Sequence, residues 1–304
     1  MGAATEYAEA MISLKQSGGC AWRALTATIR HDGVEHAGYL AFLNLLALFP
    51  FLVFIVAVIG FIGQGEAGAA FITSLLLALP ADITAALKPR IVEIISGPPQ
   101  GLLTVSILGA IWTASSAVEG LRTILNRAYH VHTPPAYWFR RSLSVLQLLF
   151  FTFLAVTGML LVVAIPLAVR HVEDWLGVQF SPAMDEEWSR IAYAASVGVL
   201  FLTIAGMYYT IPNIRQRLVS VVPGALVVTF AWLAAAWALT LYLSNFQQVN
   251  LIYGSLGSII VALIFFYICN IIFIFGAELN YQIVHCLGLH IVEREHVDAV
   301  DFIE

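Results

Sequence analysis

Residues 218–277 read LVSVVPGALVVTFAWLAAAWALTLYLSNFQQVNLIYGSLGSIIVALIFFYICNIIFIFGA. These 60 residues contain no Asp, Glu, Lys or Arg. A helix needs roughly 20 apolar residues to cross the hydrocarbon core of a bilayer. The stretch is therefore long enough for two crossings, and the polar residues near Ser244–Asn250 separate them. The sequence predicts an integral membrane protein.

The rest of the chain repeats this pattern. Hydrophobic residues make up 60% of the 304 residues and charged residues only 11%, whereas soluble domains average about 45–50% and about 25%. A soluble fold could not bury that much apolar surface, but a bilayer accommodates it. Four further stretches without charge are each long enough for one crossing: Ala37–Gly65, Ile94–Val118, Ser142–Val169 and Ile191–Ile214.

The crossings are predicted to be helices, because runs such as Phe51–Ile59 lack the alternation of barrel strands. The fold class is an all-α integral membrane protein, a bundle of six transmembrane helices. We expect a cytoplasmic N-terminal segment, a transmembrane domain and a cytoplasmic tail, at 1–37, 38–290 and 291–304. The six predicted spans are 38–63, 101–118, 142–169, 190–211, 221–243 and 251–277.

The distribution of Lys and Arg predicts the orientation. Segments on the side of the N-terminus hold ten basic residues, and the opposite segments hold four. Basic residues are enriched on the cytoplasmic side of membrane proteins. We therefore expect a multi-pass membrane protein with both termini in the cytoplasm.

Segments outside the spans have features of their own. Residues 17–30 predict an interfacial helix with Trp22, Leu25 and Ile29 on its apolar face. The connection 64–100 predicts two helices packed on the outer face. The acidic residues between spans 3 and 4 predict a solvated external loop. The three cysteines have no metal-binding spacing, and Cys269 and Cys286 are interpreted as small apolar fillers.

Several motifs resemble signatures of the YihY/BrkB family of bacterial inner-membrane proteins, and they occur in that family's order across roughly residues 18–290. One departure is Asn44, where we expect a smaller or an aromatic residue. The stretches that carry the resemblance are Ala41–Pro50, Ile111–Val118 with Leu125–Tyr129, Tyr209–Asn213 with Val222–Ala225, Ile252–Gly257, and Phe275–Asn280.

The resemblance implies six spans and an inner-membrane location, but no settled activity. Members have been labelled ribonuclease BN or virulence factors, and transport has been suggested for the group. The nuclease that now holds that name uses a HxHxDH metal motif. Here His130-Val131-His132 is followed by Thr-Pro-Pro rather than by Asp-His. Ribonuclease activity is therefore disfavoured, and His130 and His132 are interpreted as loop residues.

Other enzymatic classes also lack sequence support. The chain contains no Walker A, nucleophile elbow, HExxH or GxGxxG motif. A net charge of −5 argues against nucleic acid as a partner. We expect a protein that is not an enzyme and that uses no cofactor or metal.

Polar groups within the membrane are the remaining candidates for function, because they are costly in lipid and usually face a bundle interior or a water path. Glu278 ends the charge-free stretch and has two interpretations. It is a gate, proton site or substrate contact near the cytoplasmic mouth, or it is an interfacial carboxylate paired with Arg122, Arg127 or Arg215. Glu119 is expected to pair with Arg122 or Arg127.

The other candidates also have structural alternatives, such as close helix packing for the serines and the Tyr253 segment, and capping for Asn126 and Asn213. Asn270 is either an interhelical clamp or a lining group. The hypothetical substrate pathway comprises Ser115, Ser116, Asn126, Asn213, Tyr253, Asn270, Glu278 and Asn280.

Two functions remain open. The first is a permease or translocator of an unidentified substrate. A cavity with a lateral opening would favour amphipathic or lipid-like cargo, and a closed polar tunnel would favour small solutes. The second is a scaffold in envelope assembly that does not transport and that uses 64–100 as its partner surface. Expected partners are membrane lipids and the unidentified solute or lipid, and the alternative of a homo-oligomer stays open.

Overall fold

The computed structural model describes residues 14–62, 100–131, 137–176, 182–245, 255–288 and 292–293. The predicted outer-face helices between 64 and 99, and Tyr253, lie outside these ranges. The described elements are, in chain order, α1 (Leu14–Arg30), α2 (Gly33–Ile62), α3 (Gln100–Ala128), α4 (Tyr137–Leu176), α5 (Pro182–Thr210), β1 (Ile214–Arg215), α6 (Leu218–Asn245), α7 (Ser255–Cys286) and β2 (Val292–Glu293).

Each predicted span coincides with one of the long helices α2 to α7, but the helices extend further than the apolar runs. α3 continues ten residues past the predicted end at 118, to Ala128. α4 reaches Leu176 and α5 begins at Pro182. The acidic residues that we assigned to an external loop therefore lie mostly at helix ends. A helix can continue beyond the hydrocarbon core, where charged side chains are solvated, so charge marks the edge of the apolar run and not the end of the helix.

Four of the described helical stretches are long and apolar enough to cross a membrane, judged by length and composition. They are Tyr137–Gly158, Glu186–Thr210, Leu218–Leu243 and Ile259–Cys286. Many of their large apolar side chains are exposed, including Phe153, Leu202 and Phe230. Exposed residues of this kind are expected where lipid is the solvent.

The prediction of an all-helical chain missed a short antiparallel pairing. In it, Ile214 lies opposite Glu293 and Arg215 opposite Val292. β2 belongs to the segment predicted as a free tail. Two residues per strand carry too little pattern to be recognised in a sequence.

The described residues group into two compact units. The first contains those of Met1–Leu45, Glu119–Leu143 and Phe201–Glu304. Its apolar core includes Ala37, Leu40, Ile124 and Ile274. α7 packs against both α1 and α6.

The second unit contains the described residues of Leu46–Val118 and Ser144–Leu200. In it α4 and α5 pack closely. The hydroxyl of Ser196 donates a hydrogen bond to the Gly158 carbonyl over 2.7 Å. A Cβ atom on Gly158 would come within 3.2 Å of the Val199 side chain, so glycine permits this approach.

α1 has the amphipathic character that its sequence predicts. Trp22, Leu25 and Ile29 are exposed. Small residues on the opposite face, Ala24 and Ala27, are buried, which lets α1 pack closely within the first unit.

The interpretation of Cys286 as an apolar filler is wrong. A disulfide joins Cys286 at the end of α7 to Cys20 in α1, with Cα atoms 6.7 Å apart. The two residues are 266 positions apart in sequence, so nothing local indicates the pair. Cys269 is a free cysteine.

Candidate functional site

Glu278 is the centre of the candidate site. It lies in α7, and its side chain is only 1% exposed. One carboxylate oxygen, Oε1, lies 2.7 Å from Nδ1 of His31, which follows the last residue of α1. The His31 side chain is 33% exposed. The pair therefore connects a fully buried carboxylate to a ring at the protein surface.

The arginine partners predicted for Glu278 are engaged elsewhere. Arg122 donates a hydrogen bond to the Ile211 carbonyl over 2.8 Å. Arg127 forms an ion pair of 2.7 Å with Asp32. Arg215 lies exposed on β1. The prediction of an arginine partner is wrong because the fold brings the end of α1, distant in sequence, against α7.

Glu119 does have arginine partners. Its carboxylate lies 3.5 Å from Nε of Arg122, as one of the two alternatives predicted. It also forms an ion pair with Arg140, which was not predicted. Arg140 is near the start of α4, so this carboxylate links the C-terminal half of α3 to the start of α4.

A series of rings surrounds the Glu278–His31 pair. The His31 ring contacts His130 edge-on, with centroids 5.0 Å apart. His130 in turn lies 4.7 Å from Tyr281, and Tyr281 lies 6.3 Å from His285. His130 occupies the turn after α3 with a φ of 56°. It is thus a ring-packing residue next to the site. His132 lies outside the described residues.

Three buried polar atoms around the site have no hydrogen-bond partner among the described residues. They are Oε2 of Glu278, Nδ2 of Asn280 and the hydroxyl of Tyr129. Burial raises the pKa of Tyr129 well above its usual range, and the nearby Asn280 side chain offsets only part of that effect. The phenol is therefore neutral, and Oε2 of Glu278 is a buried acceptor that water cannot reach readily.

Asn280 fixes the close approach of α6 and α7. Its Oδ1 accepts a hydrogen bond of 2.7 Å from the backbone N–H of Gly224. A Cβ atom on Gly224 would collide with the Gly276 carbonyl, and one on Gly276 would collide with the Tyr208 hydroxyl. Tyr208 donates a hydrogen bond of 2.6 Å to the Phe273 carbonyl. Small residues at helix contacts of this kind let the backbones approach.

Asn126 and Asn213 are brought together by the fold. Oδ1 of Asn126 accepts a hydrogen bond of 2.8 Å from the backbone N–H of Asn213. With the Arg122–Ile211 contact, this bond holds the segment between α5 and α6 against α3. The bond gives both residues a structural contact, but Asn126 lies within α3 and does not cap it as we expected.

No described contact connects the remaining pathway candidates to Glu278 or His31. Asn270 accepts a hydrogen bond of 3.4 Å from Asn44, and its own Nδ2 has no partner among the described residues. Asn44, the departure from the family pattern, thus has a polar partner. The hydroxyls of Ser115 and Ser116 bond back to the Trp112 carbonyl over 2.9 and 3.2 Å.

An apolar groove of about 340 Å³ lies between α6 and α7. It begins beyond a contact in which Trp232 Nε1 donates to the Cys269 carbonyl over 2.9 Å. α6 and α7 thus approach closely at Gly224 and Gly276, and the groove lies further along the same pair of helices. The groove is lined by Ala235, Ala238, Leu239, Tyr242, Val261, Ile264, Phe265 and Ile268.

Sequence reasoning identified Glu278 and Asn280 but missed His31, Tyr129 and Tyr281. His31 was assigned to the N-terminal segment and had no motif of its own. Tyr129 was present in a family-like stretch, Leu125–Tyr129, and its position at the end of an apolar helix was the one available signal. In the described part of the chain, no three His, Cys, Asp or Glu residues are grouped so that they could hold a metal ion.

Long apolar helices, apolar side chains exposed along them and a buried polar cluster define a helical membrane protein. The chain belongs to the family described as virulence factor BrkB, which it matches over residues 24–298. No solved structure matches the chain.

Relatives carry two kinds of name. A ribonuclease-like protein, YfkH, of Bacillus subtilis is 28% identical over 82% of this chain and 90% of its own length. A UPF0761 membrane protein of Aliivibrio fischeri is 26% identical over 84% of this chain and 80% of its own. A UPF0761 membrane protein of Chlorobium luteolum is also 26% identical, over 86% of this chain and 58% of its own.

Proposed function

We propose that this protein is a permease of the bacterial inner membrane that translocates an amphipathic molecule with a hydrocarbon chain. In this proposal α2 to α7 cross the bilayer, and both termini are cytoplasmic. Four of these helices, α4 to α7, contain stretches that are long and apolar enough to cross a membrane. The proposal adds α2 and α3 as two further crossings. Residues 37–62 of α2 and 100–118 of α3 carry no charge, and the excess of Lys and Arg on the side of the termini supports the orientation.

The observation that carries this proposal is the groove between α6 and α7. Seven of its eight lining residues are aliphatic or phenylalanine, and the eighth is Tyr242. Both helices are long and apolar enough to cross a membrane, so hydrocarbon is the medium that meets the groove. Its α7 side, Val261 to Ile268, measures about 10 Å at 1.5 Å per residue, which fits within one leaflet.

The polar end of α7 supports an amphipathic rather than a purely apolar cargo. Glu278 and Asn280 lie about 15 to 18 Å along the helix from Ile268. One side of α7 faces α6. It includes Val261 and Phe265, which line the groove, and Gly276 and Asn280, which contact α6. Asn280 thus continues the α6-facing side of α7 as a polar position, whereas Glu278, two residues away on the helix, faces His31 at the end of α1.

Reconstitution tests this function. Full-length protein is placed in vesicles that contain a phospholipid with a fluorescent headgroup, and a quencher that does not cross membranes is added outside. We expect the quenchable fraction to exceed that of protein-free vesicles and to rise over time. Identical curves with and without protein would reject lipid-like cargo and favour the scaffold alternative.

A further inference from the structure

The charge environment of Glu278 is unusual for a buried carboxylate. An isolated ionised carboxylate in an apolar interior is so costly that it normally takes up a proton or acquires a permanent cation. Its ion-pair partner in the structure is an imidazole, His31, at 2.7 Å. Histidine changes its own charge between about pH 5 and 8, so this counter-charge is not permanent.

The neighbouring guanidinium groups do not supply a permanent counter-charge to Glu278. Arg122 contacts the Ile211 carbonyl and Glu119. Arg127 contacts Asp32 and His36. These contacts satisfy other acceptors, and the carboxylate depends on His31 for compensation.

The second carboxylate oxygen provides an independent observation. Oε2 of Glu278 is buried without a hydrogen-bond partner among the described residues, and so is the hydroxyl of Tyr129. An ionised oxygen in this position gains no compensating hydrogen bond from the protein. A protonated one carries no charge that needs compensation.

We infer that Glu278 and His31 together form a proton-binding site that exchanges a proton with water on the side of the chain termini. The partly exposed His31 ring connects the buried carboxylate to solvent. One O–H bond of a hydronium ion breaks and one N–H or O–H bond forms within the pair. The net charge of the pair rises by one, and a neutral water molecule is left in solution. The inference goes beyond the proposed translocation and does not depend on its cargo.

The titratable side chains around the pair come from several elements. α1 is followed by His31, and α3 is followed by Tyr129 and His130. α7 contributes Tyr281 and His285. α5 contributes Tyr208, whose hydroxyl is bonded to the Phe273 carbonyl. α6 contributes no titratable side chain near Gly224, since residues 218–230 contain none. Phenols do not ionise near neutral pH, so they take no part in the proton exchange.

Infrared difference spectroscopy tests this site without any transported substrate. Purified full-length protein in lipid nanodiscs is taken from about pH 8 to about pH 5, and the carbonyl band of a newly formed carboxylic acid is recorded. We expect a band in the wild type that is absent from Glu278→Gln. Glu35→Gln, which alters an exposed carboxylate in the first turn of α2, is the matched control and should retain the band.

His31→Gln provides a second measurement that does not remove the carboxylate. Glutamine keeps a donor for Oε1 but cannot carry a charge. We expect the midpoint of the Glu278 band to move to higher pH by about one unit or more, because an adjacent cation favours ionisation of a carboxylate. A wild-type spectrum in which neither a carboxylic acid band nor an imidazolium band is sensitive to Glu278→Gln would overturn the inference. An unchanged midpoint in His31→Gln would overturn the role of His31.

Discussion

The side-chain oxygen of Asn280 accepts a hydrogen bond from the backbone N–H of Gly224 over 2.7 Å. Gly224 follows Pro223 within α6, and the proline has no N–H to contribute to the helix. Asn280 is 1% exposed, so the bond is shielded from water. It connects α7, which carries Glu278, to α6 at the point where the two helices are closest.

Asn280→Ala is therefore expected to destabilise the protein. The change removes the acceptor of the hydrogen bond between α6 and α7, which costs about 0.5–1.5 kcal/mol. Denaturation of purified protein in detergent, followed by circular dichroism, measures the loss. Asn44→Ala is the control, because the Asn44 contact is half-buried and 3.4 Å long. Equal stability of Asn280→Ala and wild type would contradict the importance of this bond.

Glycine substitutions test the close approach of α6 and α7. Gly224→Ala and Gly276→Ala place a Cβ atom against backbone or side-chain atoms of the facing helices, and overpacking of this kind costs about 1–3 kcal/mol. Gly198→Ala in α5 meets nothing within 4 Å, and alanine is favoured over glycine in a helix by about 1 kcal/mol. We expect lower thermal stability for the first two variants and unchanged or higher stability for the third. The reverse order would show that the helices are not in contact there.

The pH dependence of stability tests the burial of Tyr129. Its pKa is raised in the folded protein, so below about pH 10 the phenol is neutral in both states and favours neither. Above that value the unfolded chain loses this proton and the folded protein keeps it, so stability falls as the pH rises. We expect Tyr129→Phe to reduce the alkaline loss of stability. Tyr137→Phe alters an exposed residue and should not. Parallel alkaline profiles for wild type and Tyr129→Phe would show that the phenol is not buried.

Thiol counting tests the proposed orientation. Cys20 and Cys286 are joined in the structure, but a cytoplasmic location would keep the pair reduced. If the termini are cytoplasmic, a membrane-permeant thiol reagent applied to intact cells, followed by denaturation without reductant, should label Cys20, Cys286 and Cys269. Prior treatment with an oxidant should leave only Cys269 reactive. Persistent protection of the pair in untreated cells would place it in an oxidising compartment and reverse the topology.

A substantial part of the fold is readable from charge alone, because lipid penalises charged side chains so strongly that their absence marks each predicted span. Glu278 stands out for the same reason. Its partner is not readable, because Arg122, Arg127 and Arg215 are all plausible by type and His31 lies 247 residues away in sequence. The Gly224–Gly276 approach and the Cys20–Cys286 pair likewise depend on which helices become neighbours, and hydropathy does not encode this.

The pattern of charged residues also did not predict where the helices end. α3 continues through Asn126 to Ala128, so Asn126 sits on a helix and accepts a bond from the segment after α5 instead of capping its own helix. A charge-free run indicates only which residues can lie in hydrocarbon, and the contacts of Asn126 lie beyond the end of that run.

If cargo moves along the groove between α6 and α7, substitutions in the groove change the rate of labelled-lipid translocation in vesicles, which measures this movement directly. Ala238→Trp places a large side chain in the groove, whereas Ala236→Trp places the same side chain at an exposed position of α6 that does not line it. We predict that Ala238→Trp slows translocation about tenfold or more, equivalent to at least about 1.4 kcal/mol in the barrier, while Ala236→Trp keeps the wild-type rate. Equal rates for the two variants would contradict the account.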